Sequence, residues 1–342
     1  MKIYSVASWM VIAFLMLFLL VYGEPIIVPF VIALLIWFVV KKMRNLLDKN
    51  AFIRKFIPSW LKTGLASFVI FGGIFFIVQM LTNNIQSLAN SYSEYISNIE
   101  SIGLKINEIF KINLTKELNH FVANFDFSSY LESLFNSLSE ILGNMVMIIF
   151  YVVFLFVEES LFQHKIKLIF EPKNRFDKVS EILQKIDKSM SSYIGLKSLV
   201  SLLTTTLSYF IMLAVGIDSP VFWAFLIFMF NFIPSIGPIL GTLLPALFCL
   251  IQFGTFTPAL IVLFGVGGVS VLVGSLVEPK LMGNTLNISP LVAILSLALW
   301  GSIWGIIGML LSVPITVAMI IIFSQFPSTR SIAILLSEKG RV

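Results

Sequence analysis

The chain alternates between long apolar stretches and shorter segments that gather its charge. A helix crosses the hydrocarbon of a bilayer with about 20 apolar residues, and stretches of that kind begin at residue 5 and recur to residue 323. The first covers 5–22. After Gly23-Glu24-Pro25 a second covers 26–40, with Pro29 in its first turn, where a missing amide hydrogen costs little. The pattern predicts a tight membrane hairpin for these two. Further spans are expected at 64–81, 141–157, 199–215 and 258–277, and another starts at Val221.

Two apolar runs do not fit whole helices. Residues 221–253 are interrupted by Asn231, Pro234, Gly237, Pro238, Gly241 and Pro245, and residues 288–323 by Pro290, Gly301, Gly305, Gly308 and Pro314. Each run is too long for one span and tight for two. The reading is an all-α, polytopic helical membrane protein of about eight spans with two re-entrant hairpins, or of ten spans.

Amphipathic segments lie between the spans. Ile85, Leu88, Tyr92, Tyr95, Ile96 and Ile99 recur at helical spacing, as do Tyr130, Leu131, Leu134, Phe135 and Leu138, predicting a small helical layer or assembly surface. A third stripe, from Phe176 through Ile186 to Met190 and Tyr193, predicts a helix at the membrane interface or docked beneath the bundle. The chain thereby divides into membrane helices at 1–81, an extracytoplasmic helical region at 82–140, a fourth span with a cytoplasmic amphipathic region at 141–197, a membrane core at 198–325 and a tail at 326–342.

Charge sharpens this picture. Of the 342 residues 58% are hydrophobic and 12% charged, and from 198 to 323 the only charged residues are Asp218, Glu278 and Lys280. A water-facing surface of that length needs many more. Lys41, Lys42, Arg44, Lys49, Arg54, Lys55 and Lys62 stand against Asp48 alone, which places 41–62 on the cytoplasmic side of a bacterial or archaeal membrane and, by counting spans, both termini with it. Residues 82–140 carry seven acids against three lysines and suit the outer face. Lys2 precedes an apolar stretch, but no Ala-x-Ala site closes it, so a retained first helix is expected. No basic helix or aromatic-interleaved module suggests nucleic acid, and the bilayer is the expected partner.

Broken helices are the strongest functional clue. They free carbonyl and amide groups that lipid cannot satisfy, so the breaks must face protein or a water-filled route. For Gly301, Gly305 and Gly308 close packing is the equal alternative. Pro279 is expected to end the helix before it, leaving Glu278 and Lys280 to reach other elements or to sit in a solvated turn. His120 and His164 stand alone, and no metal or cofactor motif or nucleophile–base arrangement is present. The reading is therefore a non-enzyme without cofactors. Spans without internal carboxylates argue against coupling through a buried acid, so any ion dependence would fall to Asp218, Glu278, polar side chains or freed carbonyls.

The run from Asn231 through Pro234-Ser-Ile-Gly-Pro to Pro245, Val277-Glu-Pro-Lys-Leu-Met-Gly283, and Ile288-Ser-Pro-Leu with Trp300 through Gly305 and Gly308 to Pro314 resemble the carboxyl-terminal signature of the autoinducer-2 exporter family, the PerM-like permeases. Tyr193 and Lys197 match the tyrosine and lysine that begin that half. The resemblance implies an oligomeric exporter of a small neutral or weakly polar cargo such as autoinducer-2. Sodium/proton antiport, known for some relatives, is the alternative, and a membrane scaffold is a third. It also implies that 231–245 and the turn from Glu278 to Gly283 carry function.

Overall fold

The computed structural model describes residues 3–91, 94–99, 102, 127–170, 176–282, 288–338 and 340. Among them there is no strand. The helices are α1 (Ile3–Tyr22), α2 (Glu24–Leu47), α3 (Ala51–Phe56), α4 (Ser59–Asn90), α5 (Phe127–Phe170), α6 (Phe176–Val215), α7 (Pro220–Phe230), α8 (Ile236–Phe253), α9 (Phe256–Leu272), α10 (Glu278–Met282), α11 (Pro290–Ser324) and α12 (Arg330–Leu336). A π-helical turn, Val273–Val277, joins α9 to α10. Six helical stretches among the described residues are long and apolar enough to cross a bilayer. Large apolar side chains such as Phe68 (77% exposed) and Phe264 (72%) project outward, as lipid-facing residues do.

Contacts divide the chain into two compact units, one of residues 1–67, 144–195 and 283–342, the other of 68–143 and 196–282. The second unit is built around a core that includes Leu81, Ile85, Leu88, Tyr95, Met212, Phe222, Ile227, Phe248, Cys249 and Val262. The stripe at Ile85, Leu88 and Tyr95 is thus buried against the membrane core helices. In the first unit Val28, Trp300, Trp304 and Leu311 form a separate buried cluster.

Two expectations are corrected. Gly23-Glu24-Pro25 does not make a tight hairpin. The Gly23 amide donates to Leu19 O and the Ile27 amide to Gly23 O, each at 2.8 Å, so helical bonding runs through Gly23 (φ −84°, ψ 0°) as a bend. The stripe at 176–193 is not a separate interfacial helix, because α6 is one 40-residue helix that continues into the fifth span. A rod about 60 Å long cannot lie in the interface and cross the bilayer at once. The fourth span likewise sits within the 44 residues of α5. Tyr92 and Gly283 lie outside the described residues, as do the side chains of Tyr130, Leu131, Leu134, Phe135 and Leu138.

Candidate functional site

The first apolar run is a helical hairpin. Its arm α7 has 11 residues, about 16 Å, against about 30 Å of hydrocarbon. The chain turns at Asn231 to Ser235, where Ser235 takes φ 62°, and α8 runs back. A Cβ on Gly237 would lie 1.7 Å from Phe230 O, so only glycine lets the arms meet at the tip; further along, Gly241 sits against Ile227. Beyond them Trp223 and Phe248 stack with ring centres 4.9 Å apart. Pro238 falls in the first turn of α8, where its missing N–H costs little, and Pro245 is buried inside that helix.

Polar bonds close the base of this hairpin. Gln252 accepts from the Asp218 amide at 2.8 Å and donates to Gly216 O at 3.0 Å, so α8 ends in the layer from which α7 started. The segment after α4 ties in as well: Tyr95 OH donates to Asp218 Oδ2 at 2.7 Å, and Asn98 Nδ2 to Gln252 O at 2.6 Å. Burial, then the Asp218 carboxylate, holds the Tyr95 phenol well above its ordinary range. Asp218 is therefore a structural anchor of the hairpin base.

The second run is a hairpin in the other unit. Helical geometry in α11 fails at Trp304 (φ −126°, ψ 20°) and Gly305 (φ 58°, ψ −139°). A Cβ on Gly308 would sit 1.9 Å from Trp300 O, and one on Gly301 2.9 Å from Met309 Cγ, so the arms 290–303 and 306–324 lie against each other. The glycines at 301, 305 and 308 make this turn and its close approach. Pro290 starts the first arm and Pro314 is buried in the second. At the base the Ser289 amide donates to Leu336 O of α12 at 3.1 Å.

Between α6 and α10 a charge pair forms in an otherwise apolar block. Lys197 Nζ donates to Glu278 Oε1, and their side chains are only 12% and 27% exposed. Lys280 and Pro279 are exposed instead. Pro279 does not end the preceding helix, contrary to expectation, because the π-helical turn before it widens the coil where a proline ring would strike the carbonyl four residues back. Tyr193 is buried in the first unit.

A polar stripe that the sequence reading passed over lies on α6. Ser201, Thr204 and Ser208 are buried; Thr204 bonds back to Val200 O, while the hydroxyls of Ser201, Thr205 and Ser208 and Nδ2 of Asn231 have no protein partner. Spacing of three and four residues could have revealed it.

Long apolar helices, outward phenylalanines and two proline- and glycine-broken hairpins define a polytopic helical membrane protein of transporter type. The family described as AI-2E family transporter matches residues 9–328, and the chain belongs to it. A protein of Haemophilus influenzae named "Putative transport protein" is 28% identical, covering 92% of this chain and 91% of its own length. The AI-2 transport protein TqsA of Escherichia coli K12 is 27% identical over 94% of this chain and 92% of its own. A second "Putative transport protein", from Borreliella burgdorferi, is 34% identical over 62% of this chain and 59% of its own.

Proposed function

We propose that this transporter exports a small neutral or weakly polar solute, with autoinducer-2 as the leading cargo, and that broken helices line the route. One observation carries the reading: both long apolar runs fold back, at Ser235 and Gly305, and so place helix ends within otherwise apolar segments. The unpartnered hydroxyls of α6 and the Asn231 amide add polar groups suited to a solute with hydroxyls. The name of the E. coli relative supports the choice of cargo. In this reading the hairpins are re-entrant, the carboxyl terminus is cytoplasmic and the protein works as a homo-oligomer.

Antiport of cations has less support, since Glu278 already faces Lys197 and Asp218 accepts from Tyr95. The test is flux from proteoliposomes holding autoinducer-2 and a panel of neutral solutes, without an ion gradient. Autoinducer-2 efflux above empty liposomes is expected; no flux of any solute would remove the reading. Sodium-driven proton movement lost in Glu278→Gln would favour antiport.

A further inference from the structure

In the first unit a groove of 470 Å³ lies among α2, α5 and the amino-terminal part of α6. Leu34, Phe38, Leu155 and Phe162 supply apolar walls, and Lys41, Glu158, Glu159 and Asp187 the polar lining. The change from apolar to charged occurs where two spans end. The apolar run of α2 stops at Lys41 and that of α5 at Glu158, so this lining falls at the depth of lipid headgroups, where tryptophans such as Trp37 gather.

Its charges are arranged rather than merely gathered. Lys41 Nζ is 3.1 Å from Asp187 Oδ2 and 3.7 Å from Glu159 Oε1, and lies 4.7 Å from the centre of the Trp37 ring. Arg44 neutralises Glu159 at 3.3 Å, and Lys165 neutralises Glu158 at 2.6 Å. Lys41 has three N–H donors, and these contacts use two. Asp187 gives Oδ2 to Lys41, whereas its Oδ1 has no donor. Oδ1 is turned inward, but the Asp187 side chain is 34% exposed, so its carboxylate borders the groove.

We propose that this groove seats a phospholipid with a primary ammonium headgroup, of the phosphatidylethanolamine type. The ammonium donates to the carboxylate of Asp187, the adjoining phosphate accepts the remaining N–H of Lys41, and an acyl chain lies along Leu34, Phe38 and Leu155. Arg44 and Lys165 already match Glu159 and Glu158, so an anionic headgroup would meet Asp187 beside Lys41, the lining's one cation, and would offer that carboxylate no donor. A choline headgroup carries no N–H to offer Asp187. The site does not depend on the cargo or on transport.

The test is native mass spectrometry of the full chain in detergent with phosphatidylethanolamine, its mono- and dimethylated forms, phosphatidylcholine and phosphatidylglycerol of matched chains. Retention of phosphatidylethanolamine about tenfold above phosphatidylcholine is expected, as one charge-assisted hydrogen bond supplies, with the fall at the last methyl. Asp187→Asn should bring the ratio near one. Should that variant fail to fold, the methylation series on the unaltered protein still decides. Equal retention of ethanolamine and choline lipids, or preference for phosphatidylglycerol, overturns the proposal. So does binding of octylamine that Asp187→Asn abolishes without any retention of phosphatidylethanolamine, which would assign the groove to a soluble amine.

Discussion

The indole Nε1 of Trp304 donates to the carbonyl of Leu20 at 3.0 Å, across 284 residues of sequence. Leu20 lies in the last turn of α1, where carbonyls have no partner within their own helix. The tip of the second hairpin therefore caps the bend at Gly23 while Trp300 packs beside it, with ring centres 5.1 Å apart. Trp304→Phe keeps the ring but removes the donor. It should cost about 1–3 kcal/mol, the range for leaving a buried carbonyl unpaired, read as a lower unfolding midpoint in detergent.

Glycine substitutions at the same tip should differ in severity. Gly305→Ala meets no atom within 4 Å but keeps a backbone, φ 58° and ψ −139°, that glycine alone adopts readily, and should lose about 1–3 kcal/mol. Gly308→Ala places a methyl where the Trp300 carbonyl lies and should abolish folded, membrane-inserted protein. Size-exclusion profiles of the two variants check the order.

Gly237→Ala belongs with Gly308→Ala, because Phe230 O occupies the space. Its loss of flux should equal its loss of folded protein. Asn231→Ala, which removes an amide nitrogen without a partner, should lower autoinducer-2 flux at unchanged abundance. Flux per folded molecule separates the two.

Lys197 and Glu278 should act as a unit. Breaking a partly buried pair leaves one charge uncompensated, so Lys197→Met and Glu278→Gln should each destabilise, and the double variant by less than their sum. A double-mutant cycle on unfolding midpoints measures the coupling; strict additivity would show that the pair contributes nothing.

The Tyr95 phenol gives an alkaline dependence. Its folded pKa is raised, so the folded state holds this proton more tightly than the unfolded chain, whose tyrosines titrate near about 10. The stabilisation is fully present below that value and declines as pH rises through and above it. Tyr95→Phe should flatten this part of the profile above about pH 10, measured as unfolding midpoint against pH.

Span positions and the two interrupted runs were legible because lipid leaves a strong imprint on composition, and because proline and glycine mark where a helix cannot continue. The ties among Tyr95, Asn98, Asp218 and Gln252 were not, since single polar residues far apart in sequence reveal partners only after folding. Gly23-Glu24-Pro25 misled for a different reason. Turn-forming residues also tolerate a bent helix, and whether a chain reverses or bends there is decided by packing, here by Trp304 and its neighbours. The continuity of α6 was hidden because a stripe with one wet face and a wholly apolar span look unlike each other in sequence, although the backbone runs through both.

The π-helical turn at Val273–Val277 holds one more residue than an α-helical turn would need. Removing any single residue there would tighten the turn to α-helical pitch and swing everything downstream by about 100°. Glu278 would then point away from Lys197. A lone deletion would thus do double damage, leaving the charged end without its mate and pressing the Pro279 ring onto the carbonyl four residues back.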